Sequence, residues 1–133
     1  MKKNSVCWNI TSRCNENCQF CYRIMCSKEN TYEQNNKILE ILIELNIDKI
    51  TWTGGESLLY PHLFDLMKKA HYNNIKNNII TNGRLLNPNI IDEIEEYTDY
   101  ITFSLDALDD NVNNCLGRGI EHGKHIIGLL EYL

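Results

Sequence analysis

The sequence predicts an α/β fold of parallel strands, because short strand-like segments alternate with helix-like segments along nearly the whole chain. The strand-like segments are mainly apolar, whereas the segments between them repeat their apolar residues at helical spacing. Glycine-rich or polar motifs follow the strands directly, at the edge where α/β folds place their active sites. We therefore expect four strand–helix units joined by right-handed crossovers.

The first unit begins with a strand at residues 6–10, which runs directly into Thr11 and a group of cysteines. A helix is predicted next from apolar residues at helical spacing, namely Ile38, Leu39, Ile41, Leu42 and Leu45. The second strand is predicted at residues 49–53, where Gly54 and Gly55 end it. These segments predict one complete unit and the start of the next.

The later units repeat this order. Pro61 suits the first turn of a helix, and the strand at residues 76–81 ends at Asn82 and Gly83. The apolar residues of that helix are Leu63, Phe64, Leu66, Met67 and Ala70. Pro88 opens a helix with Ile90, Ile91, Ile94 and Tyr97 on one face. A fourth strand is predicted at residues 100–105, followed by a helix that carries Ile126, Ile127, Leu129 and Leu130.

The composition indicates one globular domain over residues 1–133. The chain of 133 residues is 43% hydrophobic and 23% charged, which excludes a disordered or fibrous chain. No run of about 18 apolar residues is present, so no membrane span is expected. The net charge is -5 and no basic stripe is visible, so we expect no nucleic-acid partner.

Six cysteines are compatible with three disulfides or with a metal site. The N-terminal residues contain two lysines but no apolar run of signal-peptide length, so we expect a cytoplasmic chain with reduced thiols. Four cysteines lie close together in the sequence, namely Cys14, Cys18, Cys21 and Cys26. This clustering favours metal binding, whereas Cys7 and Cys115 stand apart and are not expected to be ligands.

Cys14, Cys18 and Cys21 follow a C-x3-C-x2-C spacing. Three thiolates on one loop can hold an iron–sulfur cluster and leave one iron open to another ligand, since such clusters normally take four cysteines. The alternative is a structural zinc site with Cys26, Cys7 or a histidine as the fourth ligand. The four histidines show no ligand spacing with the cysteines, and we expect them at the surface or on helix flanks.

Four motifs together give the chain a resemblance to the radical S-adenosylmethionine (radical SAM) superfamily. They are the cysteine triplet with Phe20 before its third member, Thr53-Gly54-Gly55-Glu56, Thr81-Asn82-Gly83 and Ser104-Leu105-Asp106, in family order over residues 6–120. The resemblance implies a partial TIM-type barrel whose fifth and sixth strands are missing from these 133 residues. Residues 8–15 and Tyr22 are most similar to SPASM-type enzymes that modify peptides or proteins, and next to the GTP cyclase-like enzyme of molybdenum cofactor biosynthesis.

The resemblance implies that Cys14, Cys18 and Cys21 ligate three irons of a [4Fe-4S] cluster, while S-adenosylmethionine chelates the fourth iron. An electron from a donor such as flavodoxin or ferredoxin then cleaves the sulfonium carbon–sulfur bond. Methionine and a 5'-deoxyadenosyl radical result, and the radical abstracts hydrogen from a substrate, which the resemblance suggests is a peptide or protein. The cofactor supplies this chemistry, and the protein positions it.

The same resemblance assigns the cofactor's amino end to Gly54, Gly55 and Glu56, because glycines admit a close ligand and a carboxylate accepts from an ammonium group. A helix-capping turn with a solvated glutamate is the alternative. Ser57 stands where the family usually has proline. The backbone at Phe20 is expected near the adenine, and a plain core aromatic is the alternative for its side chain.

Further cofactor contacts are implied at the ends of the last two strands. Asn82 and Thr81 shape the cavity floor or merely form the turn. Ser104 and Asp106 contact the ribose or carboxylate, with a capping role as the alternative for Asp106. Arg118 pairs with the cofactor carboxylate or is simply solvated.

Two non-enzymatic interpretations stay open at this stage. One is a half-domain, or fragment, that binds a partner chain through the open edge of its sheet, since four parallel strands without a closing partner leave that edge unpaired. The other is a structural zinc module. Because the barrel is incomplete, we expect cluster binding by this chain but not turnover by this chain alone.

Overall fold

The computed structural model describes residues 3–23, 26 and 28–133. Its centre is a four-stranded sheet in the order β1-β2-β3-β4, and all three neighbouring strand pairs are parallel. The strands are β1 (Ser5–Thr11), β2 (Lys49–Gly54), β3 (Lys76–Thr81) and β4 (Tyr100–Phe103). The predicted α/β class, four parallel strands alternating with helices, is confirmed.

Five α-helices follow or connect the strands. They are α1 (Tyr32–Glu44), α2 (Leu63–Tyr72), α3 (Pro88–Ile94), α4 (Asp110–Leu116) and α5 (His122–Tyr132). Short 3-10 turns lie at Ser57–Leu59 and Glu95–Tyr97. Helix α4 was not predicted, and Cys115 lies on it. The fourth strand ends at Phe103, so Ser104 and Asp106 follow the strand.

Side-chain caps define where several helices begin. Thr31 caps α1 in a capping box with Gln34, which satisfies two backbone donors at once. Asn87 caps α3 ahead of Pro88, whose missing N–H is not needed in a first turn. Such caps are each worth about 1 kcal/mol, and they explain why Pro88 opens a helix as predicted.

The apolar core lies between the sheet and its helices. Trp8 of β1 stacks on Trp52 of β2 with ring centroids 5.2 Å apart, and Trp52 is fully buried. Side chains from α1, α2, α3 and α5 cover this same face, including Leu39, Leu66, Ile94 and Ile126. The core therefore fixes the back of the sheet and leaves the other face to carry polar groups.

The opposite face of the sheet is less covered. Side chains alternate across a strand, so the neighbours of the core residues point to this second face. Cys7 and Asn9 of β1 are exposed there, and Thr51 and Thr53 of β2 are half-buried. Because the strands are parallel, their carboxyl ends meet at one edge, where Asn9 pairs with Thr53 in register. In the described ranges no helix is long and apolar enough to cross a membrane.

Candidate functional site

The three predicted cluster ligands come together at the carboxyl edge of the sheet. Cys14, Cys18 and Cys21 lie on the loop after β1 and all line one cavity of about 640 Å³. Cys14 and Cys18 are half-buried and Cys21 is exposed, and all three thiols are free. Cys26 lines the same cavity, with its Sγ 3.0 Å from the Lys28 carbonyl oxygen.

Most of the other predicted site residues also line this cavity. They are Phe20, Gly54, Gly55, Asn82, Ser104 and Arg118. The side chains of Glu56 and Asp106 do not line it and instead contact residues that do. The structure thus brings the four sequence motifs to one edge of the sheet.

Gly54 and Gly55 hold the end of β2 against the cysteine loop. Gly54 has φ +149°, and a Cβ there would clash with the Thr11 carbonyl oxygen. A Cβ on Gly55 would clash with the Arg13 carbonyl oxygen. The backbone N–H groups of Gly55 and Glu56 donate to these same two oxygens, at 2.8 and 2.7 Å. The two glycines were predicted to admit a ligand, and in the structure they admit the close approach of the backbone at Thr11 and Arg13.

Glu56 is 1% exposed and lies behind the cavity wall. Its Oε1 accepts hydrogen bonds from the Thr81 hydroxyl at 2.8 Å and from the Leu58 N–H at 3.2 Å, and its Oε2 accepts from the Asn82 N–H at 2.8 Å. Burial raises the pKa of the Glu56 carboxyl above its ordinary value, although these hydrogen bonds oppose the shift. Glu56 caps the following 3-10 turn, as the alternative interpretation expected, but it is buried and not solvated.

Asn82 connects β3 to the cysteine loop. Its Nδ2 donates to Asn15 Oδ1 at 2.7 Å, and its Oδ1 accepts from the Arg84 N–H at 3.0 Å. Because Glu56 holds the Asn82 backbone from behind, the amide side chain is fixed at the cavity wall. Asn82 therefore shapes the wall and also forms the turn.

The cysteine loop is anchored on both sides. Glu29 accepts hydrogen bonds from the Thr11 hydroxyl and from the Ser12 N–H, the latter at 2.9 Å, and the Thr11 bond lowers the pKa of Glu29. At the other side, the Gln19 N–H donates to the Leu116 carbonyl at 3.0 Å. Gly117 has φ +85°, and a Cβ there would clash with the Asn17 carbonyl oxygen. Helix α4, which was not predicted from the sequence, therefore anchors one side of the cysteine loop.

Glu16 is the main site residue that sequence reasoning missed. It lies between Cys14 and Cys18, and its side chain is only 4% exposed. The carboxylate contacts Arg84 Nε at 3.3 Å and Arg118 Nη1 at 2.8 Å. A charged residue between two predicted ligands was the available signal, since a carboxylate there needs a partner if it is buried.

Arg118 is held by two carboxylates, so the solvated alternative is wrong. Its Nε donates to Asp106 Oδ2 at 2.6 Å, in addition to the Glu16 contact. The guanidinium lies 5.6 Å from the centre of the Phe20 ring. Burial lowers the pKa of Arg118, but its hydrogen bonds to Glu16 and Asp106 outweigh burial and leave a net rise.

The expectation of surface or helix-flank positions is wrong for His122. The ring is fully buried, with Nε2 2.8 Å from the Ser104 carbonyl oxygen and Nδ1 3.5 Å from Glu16 Oε1. The sequence around His122 does not predict this burial, because the groups that contact its ring lie in the turn after β4 and in the cysteine loop.

Three cysteine thiols that line one cavity are donors of the kind that an iron–sulfur cluster takes. Among residues 3–23, 26 and 28–133, no three His, Cys, Asp or Glu side chains lie close enough to ligate a single ion. A structural zinc gathers four ligands on one ion, whereas a cluster spreads its thiolates over different irons. Burial raises the pKa of the Cys18 thiol, which metal binding would reverse because a ligand must be a thiolate.

The fold and the site together define a parallel α/β protein with a thiol-lined cavity at the carboxyl ends of its strands. The chain belongs to the radical SAM superfamily, whose family model matches residues 8–133. This family uses a [4Fe-4S] cluster and S-adenosylmethionine, the two cofactors that the sequence predicted. The resemblance inferred from the four motifs is confirmed.

Curated relatives include two kinds of enzyme. An S-adenosylmethionine-dependent nucleotide dehydratase of Flammeovirga pacifica is 33% identical over 122 residues, which cover 86% of this chain and 42% of that protein. A GTP 3',8-cyclase of Staphylococcus epidermidis is 32% identical over 116 residues, which cover 78% of this chain and 34% of that protein. The chain therefore spans less than half of the length of these relatives.

Solved structures share the fold. SuiB of Streptococcus suis superimposes with a TM-score of 0.81 at 20% identity, covering 98% of this chain and 30% of that one. The enzyme anSMEcpe, solved with bound AdoMet and a Cp18Cys peptide, has a TM-score of 0.71 at 17% identity and covers 97% and 40%. At these identities the likeness concerns the fold alone.

Proposed function

We propose that residues 1–133 form the first part of a radical SAM core domain that binds a [4Fe-4S] cluster through Cys14, Cys18 and Cys21. The observation that carries the proposal is that these three thiols and Arg118 line one cavity. When bound, the cluster and S-adenosylmethionine supply a 5'-deoxyadenosyl radical by reductive cleavage, and the radical takes hydrogen from the substrate.

Arg118 is proposed to bind the carboxylate of S-adenosylmethionine. Its Nε and Nη1 are used by Asp106 and Glu16, while Nη2 makes no hydrogen bond within the described part of the chain. A guanidinium suits a carboxylate because its donors lie in one plane. The Phe20 ring beside it covers one face of the guanidinium and limits its exposure to water.

The part of the cavity wall formed by Gly54 and Gly55 is proposed to receive the cofactor's amino end. Gly54 and Gly55 have no side chains, so their backbone lies directly at the cavity surface. Glu56 supports this wall from behind through Thr81 and Asn82. Ser104 and Asp106 are proposed near the ribose side, with Asp106 acting through Arg118.

The substrate of the whole protein is proposed to be a nucleotide. Two curated relatives at 32–33% identity, from Flammeovirga pacifica and Lacinutrix mariniflava, are S-adenosylmethionine-dependent nucleotide dehydratases. The peptide substrate predicted from sequence is the second candidate, favoured by the peptide-bound structures of SuiB and anSMEcpe. We propose a flavodoxin or ferredoxin as electron donor, and the cytoplasm as the place where free thiols stay reduced.

Anaerobic reconstitution of the full-length protein tests the cofactor proposal. We expect about four irons and four sulfides per chain, and 5'-deoxyadenosine after addition of dithionite and S-adenosylmethionine. Replacing Cys14, Cys18 and Cys21 by serine should abolish both. The matched control replaces Cys7 and Cys115, which lie outside the cavity, and should retain both. A protein that binds zinc in place of iron and sulfide would refute the proposal.

Deuterium transfer distinguishes the two substrate classes. Deuterated nucleoside triphosphates and deuterated peptides are incubated separately with the reconstituted protein, and mass spectrometry measures deuterium in 5'-deoxyadenosine. Transfer from a nucleotide supports the first candidate. Transfer from a peptide alone would contradict it and favour the second.

A further inference from the structure

Glu16 is the most buried carboxylate of the cysteine loop, and its partners come from three other segments. Arg84 follows β3, Arg118 precedes α5 and His122 begins α5. The ion pairs therefore join the loop to parts of the chain that are 68 and 102 residues away. A loop that only had to present three thiols would not need a charged side chain inside it.

The charges around Glu16 balance. Two guanidiniums, of Arg84 and Arg118, face two carboxylates, of Glu16 and Asp106, in a site where Glu16 is 4% and Arg118 10% exposed. Arg84 also donates from Nη2 to the carbonyl oxygens of Arg118 and Ile120, at 2.5 and 3.1 Å. Arg84 thus holds the backbone of Arg118 while Glu16 holds its side chain. Removing one member of such a buried set leaves a charge without its partner.

This arrangement fixes the orientation of Arg118. Glu16 takes Nη1 and Asp106 takes Nε, so rotation about the side-chain bonds would break a charge-assisted hydrogen bond. Glu16 Oε2 also lies 3.7 Å from Cys18 Sγ, which brings the guanidinium's partner to the neighbourhood of a proposed cluster ligand. The Glu16 carboxylate therefore ties the side chain of Arg118 to the cysteine loop.

We propose that Glu16 is a positioning residue, which holds Arg118 at the cysteine loop so that the guanidinium meets the carboxylate of S-adenosylmethionine at the cluster. The inference rests on the proposed function and adds a residue to it. Glu16 acts through Arg118 and does not touch the cofactor. Glu16 thereby links the position of the cluster to the position of the cofactor's carboxylate.

A double-mutant cycle with cofactor binding as the readout tests this inference. The variants are Glu16→Gln, Glu16→Ala, Arg118→Ala and the Glu16→Gln/Arg118→Ala pair, all in the full-length reconstituted protein. Equilibrium dialysis gives the Kd for S-adenosylmethionine, iron analysis gives cluster content, and electron paramagnetic resonance reports the change in the reduced cluster when the cofactor is added. Glu40→Gln is the matched control, since Glu40 pairs with Lys69 at 2.9 Å on the surface of α1.

We expect Glu16→Ala to raise the Kd about tenfold or more, since a hydrogen bond to a charged group typically contributes about that factor. Glu16→Gln keeps the shape and one acceptor, so a rise of about threefold is expected with unchanged iron content. The double variant should bind no more weakly than Arg118→Ala, within about twofold, because both substitutions remove one interaction. The resonance signal should respond less to the cofactor in both Glu16 variants, and Glu40→Gln should match the wild type.

An unchanged Kd in Glu16→Gln would overturn the inference. A Kd of the double variant that rises by the product of the two single-variant increases would overturn it as well. If Glu16→Ala fails to fold, the glutamine variant decides in the same way. If the wild type binds the cluster and the cofactor but Glu16→Gln leaves the Kd unchanged, the inference is overturned and the proposed function stands. A wild type that forms no cluster refutes the proposed function, and the inference is overturned with it.

Discussion

Asn77 and Glu16 are both buried polar residues, but they lie at opposite edges of the sheet and are satisfied in different ways. At the amino end of β3, the Asn77 side chain accepts from Trp52 Nε1 at 2.8 Å and donates to the Met67 and Tyr97 carbonyls at 2.9 and 2.8 Å. These partners are neutral and use the whole amide. At the carboxyl edge, Glu16 is paired with charged groups, and one of them, Arg118, keeps a donor for something else.

The contacts of Asn77 stabilise the fold, whereas the contacts of Glu16 stabilise the site. A fully used neutral network inside the core can only stabilise, because it has no group left to offer. A charged network beside a cavity is costly to bury, yet it retains groups that a ligand can bind. Substitutions at the amino edge should therefore change stability, and substitutions at the carboxyl edge should change cofactor binding.

Asn77→Ala should give the largest loss of stability. It leaves Trp52 Nε1 and two buried carbonyls without partners, and we expect the free energy of unfolding to fall by about 3–5 kcal/mol. Urea denaturation of the chain without cofactor measures this loss. Asn78→Ala is the matched control, because Asn78 is the next residue of β3 and faces the more open side, where it contacts Thr102 at 3.0 Å. Equal losses for both asparagines would contradict the comparison.

Gly55→Ala should have a smaller effect on stability and a specific effect on the site. The new Cβ would clash with the Arg13 carbonyl oxygen, so the cysteine loop must shift, at a cost of about 1–3 kcal/mol. Iron content after reconstitution should fall together with this loss.

Gly128→Ala is the control for the glycine substitution. Gly128 lies in α5, and nothing is within 4 Å of a Cβ placed there. Alanine should stabilise the helix by about 0.5–1 kcal/mol and leave iron content unchanged. Full iron content in Gly55→Ala would show that the loop does not depend on the close contact with β2.

Glu56→Gln should have the smallest effect, visible as a pH dependence. Because burial raises the pKa of Glu56 in the folded state, the folded chain binds a proton more tightly than the unfolded chain. The contribution of Glu56 to stability is therefore fully present below the unfolded pKa and is lost as pH rises through the folded pKa. Denaturation of both proteins at several pH values measures the difference. A difference that grows in favour of the wild type with rising pH would contradict this direction.

The sequence predicted the architecture because the apolar periodicity of β1 to β3, α2 and α5 is strong. Helix α4 escaped notice, since its seven residues are mostly polar and it depends on a cap from Asp109 and a left-handed turn at Gly117. The end of β4 was set two residues too late, because Ser104 and Leu105 continue an alternating pattern past the last ladder contact at Phe103. The local sequence pattern therefore located the longer apolar elements but not the short polar helix α4.

The candidate site was predictable where a motif carries its own chemistry. The three cysteines needed only their spacing, and they line one cavity. Glu16 and His122 needed partners that lie far along the chain, and no local pattern announces them. Glu56 lies at the predicted edge, but the sequence does not reveal that its carboxylate accepts hydrogen bonds from Thr81 and Asn82.

The anchorage of the cysteine loop on α4 has a consequence for the order in which the protein matures. The loop's thiols are synthesised first, but the Gln19 contact with Leu116 and the close packing of Gly117 on Asn17 form only when that distant stretch exists. At about 5–20 residues per second, roughly 5–20 s of translation separates the two. During that interval the nascent chain presents its cysteines on an undocked segment, so a cluster delivered to the ribosome-bound chain would meet ligands without their supporting wall. The contacts that support the cysteine loop are therefore complete only after the stretch up to Gly117 has been synthesised.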